Sequence, residues 1–314
     1  MIEGIFEKLD ALYAAGKPDE IEQFLVATIK SFELNEETHK GEFISVLNEL
    51  AGFYRGVSRY TEAAELFLRA LQLLEVAGLA TSPAFATVLM NLAGLYRLTG
   101  QLAETITLFL RAKELLENAD NRDDYAYASV LNNLSLAYQG TGELDLAFRL
   151  ASDALTLLRT GSGAVADAAR DMTHEIATAL NNLAAIDIQR GKYDEAEPLI
   201  AEALDLYNNM PEENVHHAAA LSTWATVLFA KRDLDGARDA FTRSLALTYK
   251  FFGRNIEYAQ VERNLSAVYE TLGDMTNAKR HLASGYETIK GILGDAHERV
   301  SEYKISLLRL ESKS

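Results

Sequence analysis

Two kinds of polar side chain recur along the chain at matched spacing, and both are suited to recognition rather than reaction. Arg55 and Arg97 lie 42 residues apart, and Asn48 and Asn132 are separated by twice that distance. Asparagine offers both hydrogen-bond donors and an acceptor, which suits the backbone of an extended peptide. Arginine presents a planar fork of donors that matches a carboxylate. These residues indicate binding of a peptide-like ligand, the alternative being that they are simply solvated.

Residues that could carry out catalysis or hold a metal ion show no such pattern. The six histidines lack HExxH spacing and any carboxylate set at metal-ligand intervals. The motifs GxSxG, GxxxxGKS/T and GxGxxG are absent from the sequence as well. The sequence therefore predicts a protein that is not an enzyme, with no catalytic residue, no metal site and no cofactor. We interpret the histidines as surface residues: His39, His174, His216, His217, His281 and His297.

The composition restricts the classes of partner. The 314 residues include 30 Lys and Arg against 46 Asp and Glu, a net charge of −16, so nucleic acid would be repelled. The sequence has no cysteine, which excludes disulfides and thiol chemistry. No window approaches the roughly 18 apolar residues of a membrane span, and the acidic start does not resemble a signal peptide. These features predict a soluble, cytoplasmic protein with no membrane partner.

One sequence skeleton recurs through most of the chain. Residues 90–105 read MNLAGLYRLTGQLAET, and residues 181–196 read NNLAAIDIQRGKYDEA. Successive units are spaced by 42, 42, 49, 41 and 41 residues. A fixed period of this size predicts a solenoid of helix pairs instead of one compact core. The position of the core leucine in the six units is held by Leu50, Leu92, Leu134, Leu183, Trp224 and Leu265.

The same register predicts where the helices begin and end. Glycines end four of the first helices, because glycine adopts a left-handed backbone at low cost. Ser58 and Arg232 hold the same position in the other two units, where their side chains make this backbone conformation less favourable. Residues 2–34 fit a degenerate leading pair, and residues 295–311 form a final amphipathic helix. Asp187 replaces an expected aromatic residue, which leaves open an inter-repeat partner or a polar notch. The second helices are predicted to begin near Tyr60, Leu102, Leu144, Tyr193, Leu234 and Met275.

This pattern resembles the tetratricopeptide repeat, and the long unit with GKYDEAEPL is most similar to the kinesin light chain type. Residues 293–297 read LGDAH and resemble the segment that joins successive units in that type. The resemblance implies an all-α, right-handed superhelical solenoid of antiparallel helix pairs, about seven pairs plus a C-terminal capping helix. We predict a single domain over 1–314, with a leading repeat (1–35), repeats 1–3 (36–160), an insertion (161–170), repeats 4–6 (171–294) and the cap (295–314).

The resemblance also implies that the first helices line a concave groove. Residues six and three before the small core residue, and one and four after it, then face that groove. A second asparagine in four units, at Asn91, Asn133, Asn182 and Asn264, is implied to bond backbone between adjacent helices. The predicted groove residues that could grip a peptide are Asn48, Arg55, Arg97, Asn132, Gln139, Asn181 and Arg263.

These expectations favour a non-catalytic adaptor or scaffold whose groove binds a peptide or partner segment, with a preference for acidic or C-terminal segments. One alternative is a peptide-sensing regulatory protein that flexes at the 161–170 insertion, a segment that we otherwise interpret as a neutral surface insertion or as a lip of the groove. Another is an accessory subunit or self-assembling scaffold, so a homo-oligomer is possible. Residues 231–314 carry 14 basic and 12 acidic residues while residues 1–230 carry 16 and 34, an asymmetry that permits head-to-tail association.

Overall fold

The computed structural model is helical throughout the residues that it describes, which are 2–15, 18–33, 40–57, 59–120, 122–160, 172–211 and 215–313. No β-strand occurs in these ranges, and seven helix pairs and a final helix confirm the predicted all-α repeat. The helices are α1 (Ile2–Ala14), α2 (Pro18–Glu33), α3 (Lys40–Gly56), α4 (Tyr60–Val76), α5 (Pro83–Leu98), α6 (Leu102–Glu117), α7 (Asp124–Thr141), α8 (Leu144–Thr160), α9 (Thr173–Gln189), α10 (Tyr193–Asn208), α11 (Val215–Ala230), α12 (Leu234–Phe252), α13 (Ile256–Leu272), α14 (Met275–Leu293) and α15 (Glu298–Glu311).

The contacts group the helices into two compact units. Unit 1 contains α1 to α7 and the start of α8 as far as Leu150, and unit 2 contains the rest of α8 and α9 to α15. Within unit 1 the first helices of successive pairs touch, α3 against α5 and α5 against α7, and in unit 2 α9 touches α11. The predicted insertion at 161–170 lies outside the described residues, so the proposed hinge there stays a prediction.

Small residues at fixed register positions explain how closely the two helices of a pair approach. The first helices α3, α5, α7, α9, α11 and α13 each carry an alanine or serine directly after the core leucine or, in α11, tryptophan, and these small side chains are buried. Because a small side chain adds little width, it marks the place where neighbouring helices cross. The residues that share this position are Ala51, Ala93, Ser135, Ala184, Ala225 and Ser266.

A repeated polar contact joins successive second helices in unit 1. In two consecutive repeats, an arginine of the second helix makes the same two contacts. Its guanidinium lies over an aromatic ring of the first helix of the same repeat. It also forms an ion pair with a glutamate near the end of the second helix of the preceding repeat. The distances from guanidinium to ring centre are 5.1 and 4.7 Å, and the ion pairs measure 2.9 and 3.5 Å. Such exposed pairs contribute at most about 1 kcal/mol each. The two sets are Arg69, Phe43 and Glu33, and Arg111, Phe85 and Glu75.

Left-handed residues end most of the first helices, as the sequence predicts. Gly142 and Gly273 have φ of 85° and 83°, and Gly191 has φ of 74°. Arg232 occupies the same slot with φ of 67°, where a side chain with a Cβ is strained. Ser58 lies outside the described residues.

Replacing Arg232 with glycine is expected to raise the free energy of unfolding by about 1 kcal/mol, because glycine removes this strain. The Arg232 side chain is exposed, so little packing is lost with it. Urea denaturation followed by circular dichroism measures the change. The converse substitution Gly191→Arg is the matched control and should lose a similar amount. A lower unfolding midpoint for Arg232→Gly would contradict this explanation.

The final helix α15 repeats the buried pattern of the first helix α13, 42 residues later. Val300, Tyr303 and Leu310 are buried, at the positions that correspond to Tyr258, Val261 and Val268 of α13. The helix therefore packs on α14 in the way that a further first helix would.

Ion pairs also fasten α15 to α13. Arg309 donates two hydrogen bonds of 2.7 Å to the carboxylate of Glu270, and Lys313 adds a third of 2.9 Å. The hydrogen bonds from Arg309 are the main reason that the pKa of Glu270 falls to about 2. The predicted helix at the end of the chain is confirmed, with its start at Glu298.

Candidate functional site

The first-helix surface of unit 1, formed by α3, α5 and α7, holds five of the seven predicted groove residues. Asn48 on α3 is half-buried, and its Oδ1 accepts a 2.9 Å hydrogen bond from Nδ2 of Asn91 on α5. This bond leaves the amide NH2 of Asn48 as the group that can still be offered to a ligand.

Arg55 is the most distinctive residue of this surface. Its side chain is half-buried on α3, and a Cβ atom at Gly94 of α5 would lie only 3.3 Å from its Nη1, so the guanidinium rests against the glycine. No carboxylate of the described residues pairs with it. Burial lowers the pKa of Arg55 as a result, because the charge has lost water without gaining a counter-ion. A bound carboxylate would supply the missing charge.

The other three residues of unit 1 continue the same register. Arg97 on α5 follows Arg55 by 42 residues, and Gln139 on α7 follows Arg97 by the same distance. Asn132 lies on α7, and all three side chains are half-buried. The structure thus brings Asn48 and Arg55 against α5. It places Arg97 and Gln139 at equivalent positions of α5 and α7, and Asn132 at the position of α7 that corresponds to Asn48.

The two predicted groove residues of unit 2 differ sharply in their surroundings. Asn181 on α9 has its Oδ1 shielded from solvent with no hydrogen-bond partner among the described residues. An acceptor left in this state costs about 1–3 kcal/mol. Arg263 on α13 is already engaged, because its Nη1 lies 3.3 Å from Oε2 of Glu302 and its guanidinium 5.3 Å from the ring centre of Tyr303. A ligand at Arg263 would therefore compete with α15.

Three of the four second asparagines bond other groups than the inter-helix backbone that the resemblance implies. Asn91 bonds the Asn48 side chain, and Asn133 donates to a backbone carbonyl of its own helix, that of Ser129, at 2.9 Å. Asn264 accepts from the Gln260 side chain at 3.1 Å. The prediction is wrong for these three, because their amides bond a side chain or the backbone of their own helix instead. Asn182 is buried, as expected of a scaffold residue.

The interpretation of the histidines as surface residues is wrong for His217. Its side chain is 5% exposed and stacks on Tyr207, with ring centres 5.7 Å apart. The register explains its burial, because His217 holds the position occupied by Phe43, Phe85 and Tyr127 in earlier repeats. Comparing the starts of the first helices would have revealed it.

A second histidine belongs to a polar network that sequence reasoning missed. Glu262 on α13 is 3% exposed, and it accepts hydrogen bonds from Nδ1 of His281 at 2.5 Å and Oγ of Ser284 at 2.7 Å. Burial opposes ionisation, but the hydrogen bonds from His281, Ser284 and Tyr258 outweigh it, so the pKa of Glu262 lies below its ordinary value. The serine and the histidine each bond the glutamate and not each other, so the network does not form a nucleophile–base pair.

Asp187 has a partner within its own helix turn. Its carboxylate pairs with Arg190 at 2.9 Å, which favours the polar, local alternative over an inter-repeat bond. Burial still raises the pKa of Asp187, because the single arginine does not fully replace water.

Neither a metal-binding cluster nor a membrane-spanning helix occurs in the described part of the chain. Among the described residues, no three histidine, aspartate or glutamate side chains are grouped so that they could hold a metal ion. None of the described helices combines the length and apolar character that crossing a bilayer requires.

Comparison with solved structures shows the same fold in proteins of distant sequence. BtubC (BKLC) from P. vanneervenii is 21% identical, with a TM-score of 0.53 over 76% of this chain and 92% of that one. The quorum sensor NprR from B. thuringiensis, in complex with its cognate peptide NprX, gives 14% identity and a TM-score of 0.64 over 99% and 87%. The apo form of RapI gives 10% and 0.67 over 93% and 98%.

Family models agree with this likeness, although no curated protein sequence matches significantly. Models described as tetratricopeptide repeat match residues 43–77, 84–160 and 175–250, which together make up more than half of the sequence. The repeat register, the helix pairs and these matches lead to one conclusion. The chain belongs to the tetratricopeptide repeat family.

Proposed function

We propose that this protein is a non-catalytic adaptor whose first-helix surface binds an extended peptide or partner segment that carries a carboxylate. In unit 1 the binding residues are Asn48, Arg55, Arg97, Asn132 and Gln139, and in unit 2 Asn181 serves the same role. The asparagines and glutamine hold the peptide backbone, and the arginines hold an acidic side chain or the C-terminal carboxylate. The cysteine-free sequence supports a cytoplasmic location.

The observation that carries the proposal is the guanidinium of Arg55. An arginine normally gains a carboxylate when it loses water, because an unpaired buried charge is costly. Arg55 is half-buried against Gly94 without such a partner among the described residues. Asn181 of unit 2 supports the same role independently, because it holds the register position of Asn48 and Asn132 and its Oδ1 has no partner among the described residues.

A second candidate is a peptide-responsive regulator. NprR, which has the same fold, is described as a quorum sensor and has been solved with its cognate peptide. For this chain the regulator and the adaptor share the first-helix surface, and they differ only in whether the bound peptide changes the shape of the protein. Small-angle scattering with and without a bound peptide separates them, because only a regulator has to change its dimensions.

The test is a display screen for peptides that bind the purified protein, with fluorescence anisotropy measured on the selected peptides. We expect acidic or C-terminal sequences to be selected, and Arg55→Ala with Arg97→Ala to weaken binding at least about tenfold, the value of one charged hydrogen bond. Arg149→Ala is the matched control, because Arg149 is an exposed arginine of α8 without an ion pair among the described residues.

Amidated and free-acid forms of each peptide distinguish a C-terminal carboxylate from an acidic side chain. Circular dichroism must show that the variant is folded. Selected peptides that bind wild type and the double variant equally well would contradict the assignment of both arginines.

A further inference from the structure

We propose that two copies of this chain associate head to tail, with the aromatic corner of one copy seated in an apolar pocket of the other. The aromatic corner comprises residues 249–254 at the junction of α12 and α13 in unit 2. The apolar pocket lies between α4, α5 and α6 in unit 1. This association goes beyond the peptide-binding role and uses other residues.

The apolar pocket is large enough for aromatic side chains. Its volume is about 560 Å³, within the usual range for ligand sites of roughly 300–1,000 Å³. The second helices α4 and α6 form its sides and α5 its floor, so it lies away from the polar groove positions of α5. Its principal apolar lining residues are Leu68, Leu71, Phe85, Leu89, Leu92 and Leu108.

The rim of the pocket carries two glutamates, Glu75 and Glu104, and one arginine, Arg111. Glu104, in the first turn of α6, is exposed and has no ion pair with any described residue. Glu75 on α4 has only the 3.5 Å contact with Arg111. A partner that brings apolar side chains next to a positive charge would therefore complement the lining and Glu104.

The aromatic corner offers exposed aromatic rings next to positively charged side chains. Tyr249, Phe251 and Phe252 are 59%, 39% and 53% exposed, although they follow one another within four residues. The buried face of α12 ends with Thr248, so the last turn of this helix extends past the core. Lys250 and Arg254 are exposed on either side. Contiguous exposed apolar groups flanked by charge are typical of interaction sites.

The charges of the chain identify a second copy as the occupant. Residues 231–314, which include the corner, carry 14 basic and 12 acidic residues, and residues 1–230, which include the pocket, carry 16 and 34. Each copy therefore offers one patch of each kind at different places on its surface. We propose the head-to-tail, heterologous form of this contact, which leaves one corner and one pocket unfilled in every pair. An anionic membrane is disfavoured as the occupant of this contact by the net charge of −16.

The test uses two variants that block opposite sides of the contact. The corner variant carries Phe251→Ser and Phe252→Ser, and the pocket variant carries Ala103→Trp, which places an indole in the pocket from an exposed position of α6. Wild type should show concentration-dependent association by sedimentation velocity, weaker at high salt. Each variant alone should associate about 100-fold more weakly, because two buried rings are lost or excluded.

Mixing the two variants gives the decisive result. A heterologous contact predicts that the mixture recovers association as a 1:1 dimer that grows no further, since one intact corner meets one intact pocket. Ile305→Ser is the control, because Ile305 is 67% exposed but belongs to neither patch. A wild type that stays monomeric from micromolar to millimolar concentration overturns the proposal, as does a mixture that fails to associate. Peptide binding at Arg55 is unaffected in either case, so the two proposals fail separately.

Discussion

Replacing Glu262 with alanine is expected to lower the free energy of unfolding of unit 2 by about 3 kcal/mol. The substitution removes the acceptor of His281 and Ser284, both of which bond the buried carboxylate. Their polar atoms would then lie between α13 and α14 without partners, and a small cavity would add to the loss. Urea unfolding monitored by the helical circular dichroism signal measures this change at neutral pH.

Two further variants separate the charge from the shape of Glu262. Glu262→Gln keeps the side-chain volume and an acceptor, so we expect a loss of only about 1 kcal/mol. In earlier repeats the Glu262 position is leucine, as at Leu221, and the His281 position is leucine at Leu199 and Leu150. The double variant Glu262→Leu, His281→Leu should match or exceed wild-type stability, because a well-packed apolar pair can replace a buried polar one. An alanine variant as stable as wild type would refute the network.

The network also predicts a dependence on pH whose sign comes from the lowered pKa of Glu262. A carboxyl group with a lower pKa in the folded state stabilises the fold above its unfolded-state pKa, near 4.3. This contribution is lost as the pH falls through the folded-state value. The difference in stability between wild type and Glu262→Gln should therefore shrink on acidification below about pH 4. A constant difference would show that the ionised form is not what the network stabilises.

Leucine in place of Gly285 is expected to cost about 3 kcal/mol and to detach α15 from unit 2. Gly285 is buried in α14, where a Cβ atom would lie 3.0 Å from both the backbone oxygen of Ala259 and a ring carbon of Tyr303. The backbone oxygen of Ala259 cannot rotate away, so a larger side chain at Gly285 has to displace α13 and α15 from α14. Hydrogen exchange of the α15 amides should then rise more than that of α13.

The matched control for this substitution is Gly291→Leu in the same helix. Nothing lies within 4 Å of a Cβ atom at Gly291, and the residue is exposed. Both variants replace a helical glycine, so they share the gain in helix propensity and differ only in packing. Equal stability of the two variants would mean that the closeness of α13, α14 and α15 does not depend on glycine.

The repeat register predicts the helices because each repeat uses the same residue types at the same places. The second helices α4, α10 and α14 begin at Tyr60, Tyr193 and Met275, the residues that the spacing indicates. Buried alanines and serines recur at the positions where the helices cross, so a single alignment of the sequence with itself determines both boundaries and packing faces.

The register does not predict the polar partners, because these depend on departures from the repeat. Asn91 bonds Asn48 across two first helices, whereas Asn133, at the equivalent position, turns to its own helix. The residue type of His217 predicts exposure, but its position in the repeat decides its burial. The predicted groove residues of unit 1 are half-buried, while their place in a common groove and their contact with a ligand stay predictions.

Among the described residues, the main packing contacts between helices join elements that are neighbours or next neighbours along the chain, such as α3 with α5, and an ion pair joins α13 with α15 in the same way. A chain whose contacts are this local has a low contact order, so little entropy is spent before the first favourable contacts form. Its stability approximates a sum over repeats and the interfaces between them. Each unit should therefore unravel from its weaker terminal pair, and trimming that pair at a loop should leave the inner pairs cooperative and helical.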